Sequence, residues 1–161
     1  MEINNSDLIE KLKKNGRIKD ASEAFEEFPV EEEWHKGDIN NFFKEDIEKY
    51  DEYKIGDIVF VEEYKYSDGK ICKKHLFVIV EKDNYAVPIE YFAMLISSHL
   101  EKLKFSKNKL ILKDNLNNLN RNSIVKTDVI YKIKNENIKY KIGMIKRSVV
   151  DEYMKNLEDL F

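Results

Sequence analysis

The chain has 161 residues, 42% of them hydrophobic and 37% charged, which is enough for one compact domain with an appendage. No apolar run is long enough to span a bilayer, and residues 1–15 lack the apolar block of a signal peptide, so we expect a cytoplasmic protein without a membrane segment. The single cysteine, Cys72, excludes an internal disulfide, and with His75 it supplies too few ligands for zinc. We therefore expect neither a metal site nor a cofactor.

Charge is distributed unevenly along the chain. Residues 1–52 hold 16 acidic and 8 basic side chains, a net charge of −8, whereas residues 53–161 hold 15 acidic and 20 basic side chains, a net charge of +5. This asymmetry is typical of a nucleic-acid-facing domain with an acidic appendage, although a solubilising tail has the same composition. The chain is therefore divided into an acidic, partly helical N-terminal extension, residues 1–52, and a domain formed by residues 53–161.

The N-terminal extension contains two predicted helices and an acidic segment between them. Apolar spacing predicts a helix over residues 6–14 with Ser6 as its cap, and a second helix over residues 40–50. Residues 20–34 carry seven acidic side chains interspersed with large apolar ones, and Pro29 prevents a continuous helix there. Alternating acidic and aromatic residues are typical of segments that dock on a basic, partly apolar groove.

The domain is predicted to consist of short strands followed by one helix. Apolar runs predict strands at the positions 58–61, 76–80, 91–96, 109–112, 120–131 and 138–142, with a hairpin turn at 68–69 and a loop over 114–122. Ser148 is the predicted cap of the last helix, with Asp151 in a capping-box position. Its predicted apolar face consists of Val150, Tyr153, Met154, Leu157 and Leu160. This pattern indicates a small, bent antiparallel β-barrel.

Residues 120–131 hold the most suggestive pair of side chains. In a strand, Lys126 and Asp128 lie on the same face, roughly 7 Å apart. A cation beside a carboxylate can transfer protons and stabilise charge at a phosphate. A solvated strand face explains the same spacing, and spacing by itself favours that simpler interpretation.

Five short motifs in order resemble the MazF/PemK-like toxins, the ribonuclease toxins of type II toxin–antitoxin modules. Residues 55–61 (Ile-Gly-Asp-Ile-Val-Phe-Val) resemble the family's opening strand, and residues 74–79 (Lys-His-Leu-Phe-Val-Ile) stand where the family has Arg-Pro-Ala-Leu-Val-Ile. Residues 96–98 (Ile-Ser-Ser), 123–128 (Ser-Ile-Val-Lys-Thr-Asp) and 141–143 (Lys-Ile-Gly) match the later motifs. The resemblance covers about residues 53–161.

The resemblance implies a mainly β fold, an SH3-like small β-barrel with a C-terminal helix. It also implies a homodimer that cleaves single-stranded RNA without metal and is silenced by a cognate antitoxin. By position, Asp128 would be the general base and Lys126 the general acid or phosphate clamp. The expected RNA-binding hydroxyls are those of Ser97 and Ser98.

Two positions depart from the family's pattern. Lys74 stands in place of an arginine and would supply a positive contact, although a point charge gives poorer bidentate geometry at a phosphate than a guanidinium does. His75 stands in place of a proline and is a candidate proton-transfer group at neutral pH. A single histidine beside a strand is more often structural.

Three functions remain open from the sequence. The first is a toxin-like endoribonuclease, and the second is a non-catalytic SH3-like barrel that binds RNA or protein. The third is a toxin-like barrel that its own acidic N-terminal segment holds inactive, because residues 20–34 have the composition of an antitoxin tail. In the third, Phe25, Phe28 and Trp34 would be the anchors of that segment.

Overall fold

The computed structural model describes residues 5–21, 52–62, 74–83, 90–98, 100, 103 and 107–160. The described helices are α1 (Asn5–Lys14) and α2 (Arg147–Glu158). The described strands are β1 (Ile18–Asp20), β2 (Asp57–Glu62), β3 (Lys74–Lys82), β4 (Glu90–Ser97), β5 (Asn108–Ile111), β6 (Ser123–Lys126), β7 (Ile130–Lys134) and β8 (Ile138–Met144). A 3₁₀ turn, Asn135–Asn137, joins β7 to β8. The prediction of a mainly β fold with a C-terminal helix is confirmed.

The described strands form one sheet with a branch. The main order is β1-β7-β4-β3-β2-β8, and β6 pairs with both β4 and β5 beside this path. All pairings are antiparallel except that of β1 with β7. Irregular registers between β2 and β8 and between β3 and β4 bend the sheet. Among the described strands, no pairing joins β1 to β8, so this part of the structure is an open sheet.

Both faces of the sheet are buried. Side chains alternate along β3, so Leu76, Val78 and Val80 enter one apolar cluster, whereas Phe77 and Ile79 enter another. The first cluster lies between the sheet and the two helices. A strand that is buried on both faces has apolar residues at successive positions, which accounts for the continuous apolar run in this strand.

The first and last family-like motifs of the domain contact each other and are structural. Gly56 has a φ of 97°, and its carbonyl accepts a hydrogen bond of 2.8 Å from the Ile145 N–H. Asp57 is buried and forms an ion pair of 3.1 Å with Lys141.

A side chain at Gly143 would place Cβ 2.2 Å from the carbonyl oxygen of Asn117. The glycine therefore permits the predicted loop at 114–122 to pack directly on β8.

The residues predicted as one strand from 120 to 131 form two strands, so that prediction is wrong. β6 ends at Lys126, a turn follows, and β7 begins at Ile130. The Thr127 N–H donates a hydrogen bond of 3.2 Å to the carbonyl oxygen of Lys107, and the Thr127 hydroxyl donates to the same oxygen. This long-range contact holds the turn in place because Thr127 is completely buried.

The start of α2 also differs from the prediction. The helix begins at Arg147 with Lys146 as its cap residue, and no side chain caps it, so the predicted Ser148 cap and its capping box are wrong. Asp151 instead accepts a hydrogen bond of 3.3 Å from the Arg147 Nε. The predicted apolar face is confirmed at Val150, Tyr153, Met154 and Leu157, and burial raises the pKa of Tyr153 to about 12. Leu160 lies beyond the helix and is exposed.

Part of the N-terminal extension belongs to the same core. The predicted helix 6–14 is confirmed as α1, although it begins at Asn5, so Ser6 lies inside the helix and is not its cap. Leu8, Ile9 and Leu12 are buried in the first cluster with residues of α2. β1 extends the sheet through its parallel pairing with β7.

The boundary at residue 52 between the N-terminal extension and the domain stays a prediction. The predicted helix 40–50, nearly all of the acidic segment 20–34 and the hairpin turn at 68–69 lie outside the described residues.

Candidate active site

Lys126 and Asp128 form an ion pair at the turn between β6 and β7. The Lys126 Nζ lies 3.1 Å from Asp128 Oδ1 and 3.4 Å from Oδ2. The side chain of Lys126 is 23% exposed and that of Asp128 is 34% exposed, so solvent reaches both. The expected proximity therefore has a different origin, because a turn and not a shared strand face brings the charges together. An accessible acid–base pair can exchange protons with a bound substrate.

Ser97 and Ser98 lie where β4 ends. Ser97 pairs with Ile124 of β6, which is two residues before Lys126. Diagonal neighbours across an antiparallel pair have Cα atoms about 7–8 Å apart, within reach of a long side chain. Ser97 is only 5% exposed, whereas Ser98 is half-buried. The register therefore places Ser97 near Lys126 but gives solvent little access to it, whereas Ser98 lies one residue farther along, away from Lys126.

His75 lies on β3, beneath the surface. Phe77 pairs with Leu95 on β4, and continuing that register by two residues sets His75 beside Ser97. The His75 ring is 6.4 Å from the Phe77 ring, at a steep angle, and the residue is 1% exposed. This burial leaves the His75 ring almost no contact with solvent. The backbone of the neighbouring Lys74 pairs with Glu62 of β2.

Two basic residues that the sequence did not single out lie near Asp128. Arg17 and Lys19, on either side of the first residue of β1, line a cavity of about 150 Å³ together with Asp128. They are more than 100 positions away along the chain, so no local spacing connects them to the acid. Within the described residues, no group of three or more His, Cys, Asp or Glu side chains is placed to hold a metal ion.

The comparison with protein families decides what kind of domain this is. Residues 54–161 match the model of the PemK-like, MazF-like toxins of type II toxin–antitoxin systems. The chain belongs to the PemK/MazF-like toxin family. Toxins of this family are generally endoribonucleases that bind RNA and an antitoxin. No curated protein matches this chain.

The family match divides the candidate site into two parts. Lys126, Asp128 and the two serines lie inside the matched residues, whereas Arg17 and Lys19 lie outside them. No helix among the described residues is long and apolar enough to cross a membrane.

Proposed function

We propose that this chain is a metal-independent endoribonuclease that cleaves single-stranded RNA as the cytoplasmic toxin of a toxin–antitoxin module. The observation that carries the proposal is the solvent-accessible Lys126–Asp128 ion pair in a domain of the PemK/MazF-like family. The antiparallel connections and the bends of the sheet support the finer proposal of an SH3-like small β-barrel.

The ion pair supplies both proton transfers of RNA cleavage by the 2′-hydroxyl. Asp128 removes the proton from the 2′-OH, whose oxygen forms a new bond to phosphorus while the bond from phosphorus to the 5′-oxygen breaks. Lys126 donates a proton to the departing 5′-oxygen and offsets the charge that develops on the phosphate. The products carry a 2′,3′-cyclic phosphate and a 5′-hydroxyl. At a separation of 3.1 Å, the proton then passes from Asp128 back to Lys126, which restores the ion pair.

The other candidate residues are proposed to bind RNA or to have a structural role. Ser97 and Ser98 would donate hydrogen bonds to a phosphate or a base, and Lys74 would supply a positive contact. The burial of His75 and its edge contact with Phe77 support a structural role for this ring.

The direct test is incubation of the purified full chain with a mixed-sequence single-stranded RNA in the presence of a chelator. Discrete cuts with 2′,3′-cyclic phosphate ends support the proposal. RNA that binds and stays intact favours the second function, a non-catalytic barrel.

Lys126→Ala and Lys74→Ala are each expected to weaken RNA binding and to flatten its salt dependence. One lost phosphate contact lowers the slope of log affinity against log salt by about 0.7 for a single strand. The measurement is a titration of an uncleavable RNA over a range of salt. Lys139→Ala is the matched control, because this exposed lysine lies on β8, three strands beyond β4. Equal slopes for a site variant and the control would show that the substituted lysine does not contact the RNA.

A symmetric homodimer is part of the proposal. Leu110 and Leu112 are 45% and 59% exposed, and Leu110 lines a groove of about 410 Å³ with Val149 and Tyr153 of α2. Polar and charged residues also line this groove: Lys109, Glu152, Lys155 and Asn156. Exposed leucines beside the C-terminal helix are the kind of surface that a second copy covers.

Leu110→Glu is expected to convert the dimer to a monomer, because it places a carboxylate where the exposed leucine would pack against the second copy. Sedimentation at about 10–50 µM protein measures the change, in a range where an obligate dimer stays associated. Leu116→Glu alters an equally exposed leucine of the 114–122 loop and should leave the dimer intact. A monomeric wild-type chain at these concentrations contradicts the proposed dimer.

One observation favours the third function, in which the chain's own acidic segment holds the toxin domain inactive. Ala21 and Tyr53, the residues on either side of positions 22–52, both lie in the second apolar cluster together with Phe77 and Leu95. The proposed contact is that of residues 20–34, nearly all of which lie outside the described residues. Their acidic charge and their aromatic residues complement a basic RNA groove.

A further inference from the structure

The end of α1 fixes the direction of the chain that follows it. Gly16 has a φ of 64°, a left-handed conformation that favours glycine. Its N–H donates a hydrogen bond of 3.1 Å to the carbonyl oxygen of Lys13, and the Arg17 N–H donates one of 2.9 Å to that of Leu12. These two bonds form a Schellman motif, which closes the helix and sets the path of the next residue. The backbone of Arg17 is therefore held in place from the helix side.

The sheet holds the same residue from the other side. Lys19 pairs with Tyr131 in the parallel register of β1 and β7. Two residues earlier on each strand, Arg17 is level with Val129, which follows Asp128 in the chain. The register thus brings Arg17 next to the residue that follows the acid of the proposed ion pair, with Lys19 two residues farther along the chain. Leu12 anchors this arrangement, because it is buried in the first cluster.

A small cavity lies between these charged side chains. Its volume is about 150 Å³, which corresponds to about five water molecules at ~30 Å³ each. Arg17, Lys19 and Asp128 supply its charged lining. The other described residues that line it are apolar or small: Leu12, Gly16, Val129, Ile130 and Leu157. Apolar neighbours lower the local dielectric constant, so a charged ligand interacts more strongly with the cations here than it would at a fully open surface.

The charges of this cavity suit an anion. Among the described residues that line the cavity, two are cations, Arg17 and Lys19, and one is an acid, Asp128, which also pairs with Lys126 at 3.1 Å. A guanidinium presents a planar set of donors that matches two phosphate oxygens, which the lysine at position 74 does not. Arg17 therefore supplies a guanidinium, the group that the family has at the position of Lys74 and that the motif at 74–79 lacks here.

We propose that Arg17 and Lys19 bind a backbone phosphate of single-stranded RNA next to the bond that Asp128 and Lys126 cleave. The inference rests on the proposed nuclease function and deepens it. The N-terminal extension then completes the RNA site, since neither residue belongs to the part of the chain that matches the toxin family.

The test compares two double variants of the full chain with equal changes in charge. Arg17→Gln/Lys19→Gln removes the two cations of the cavity and keeps long side chains on β1. Lys11→Gln/Lys14→Gln removes two exposed cations of α1, neither of which lines the cavity. The probe is a short, mixed-sequence, single-stranded RNA with 2′-O-methyl groups, which binds but cannot be cleaved because its 2′-oxygen is blocked. Thermal unfolding confirms that both variants fold like the wild type.

The cavity variant is expected to lose about 1.4 from the slope of log affinity against log salt, since each contact with a single strand contributes about 0.7. If the affinities converge at ~1 M salt, the same slope makes binding about 25-fold weaker at ~0.1 M. The α1 control is expected to keep the wild-type slope. Equal slopes for the two double variants overturn the inference.

The two proposals fail in different ways. A wild-type chain that cleaves unmodified RNA, with equal slopes for the two double variants, contradicts the phosphate site and leaves the nuclease standing. A wild-type chain that binds the methylated RNA with the expected difference in slope, yet leaves unmodified RNA intact, supports the phosphate site and contradicts the nuclease.

Discussion

Asp128→Asn should slow RNA cleavage by about 10²–10⁴-fold, the range that a general acid or base contributes. The carboxamide has nearly the shape of the carboxylate but cannot accept the proton of the 2′-OH. Folding should be unaffected, because the side chain is a third exposed and lies in a turn and not in either apolar cluster.

The measurement is the single-turnover cleavage rate at a saturating enzyme concentration, with the unfolding temperature as the folding control. Asp151→Asn is the matched variant, because Asp151 is also an exposed acid paired with a cation, Arg147, but lies on α2. It should cleave at the wild-type rate. Wild-type cleavage by Asp128→Asn would show that another group takes the proton.

A truncated chain that begins at Tyr53 should fail to fold. It loses Leu8, Ile9 and Leu12, all buried in the first cluster, and it loses β1 from the edge of the sheet. Each fully buried side chain of this size contributes roughly 1.5–3 kcal/mol, so the three together contribute about 5–9 kcal/mol. That approaches the whole stability of a typical domain, about 5–15 kcal/mol. Circular dichroism and thermal unfolding measure the loss, and a truncated chain with the wild-type unfolding temperature would contradict it.

A second variant separates inhibition from folding. Replacing residues 22–51 by a Gly/Ser segment of equal length keeps α1, β1 and Tyr53, and removes the acidic and aromatic side chains between them. If these side chains cover the RNA groove, this variant cleaves RNA faster than the wild type does, because a tethered segment competes at an effective concentration on the order of millimolar. Equal rates for the two chains would show that the segment is not an inhibitor.

The strands and the buried face of α2 could be predicted from the sequence because they depend on local patterns. The apolar run at 76–80 predicts a strand directly, whereas the run at 91–96 is compatible with helix or strand by length and its β-rich surroundings favour the strand; both are strands, β3 and β4, buried on both faces. Apolar residues at helical spacing defined the α2 face that Val150 and Leu157 share. The order of five motifs was sufficient for the family, which the match over residues 54–161 confirms.

Local patterns were misleading where a distant contact competes with them. The residues around Thr127 have strand propensity, but their hydrogen bonds to Lys107, twenty positions away, turn the chain between β6 and β7. Ser148 has the chemistry of a helix cap, yet the helix begins before it at Arg147. Propensity is a weak preference, and tertiary contacts override it when they are more favourable.

The sequence by itself determined the fold class, the family and the identity of the Lys126–Asp128 pair as a candidate. Only the tertiary structure decided that these two charges meet across a turn at 3.1 Å and that His75 is buried. It also decided that Arg17 of the N-terminal extension lies beside Asp128. The physical reason is that periodicity and motif spacing report on neighbours within one element, whereas these contacts depend on sheet pairing and helix packing between residues far apart in the chain.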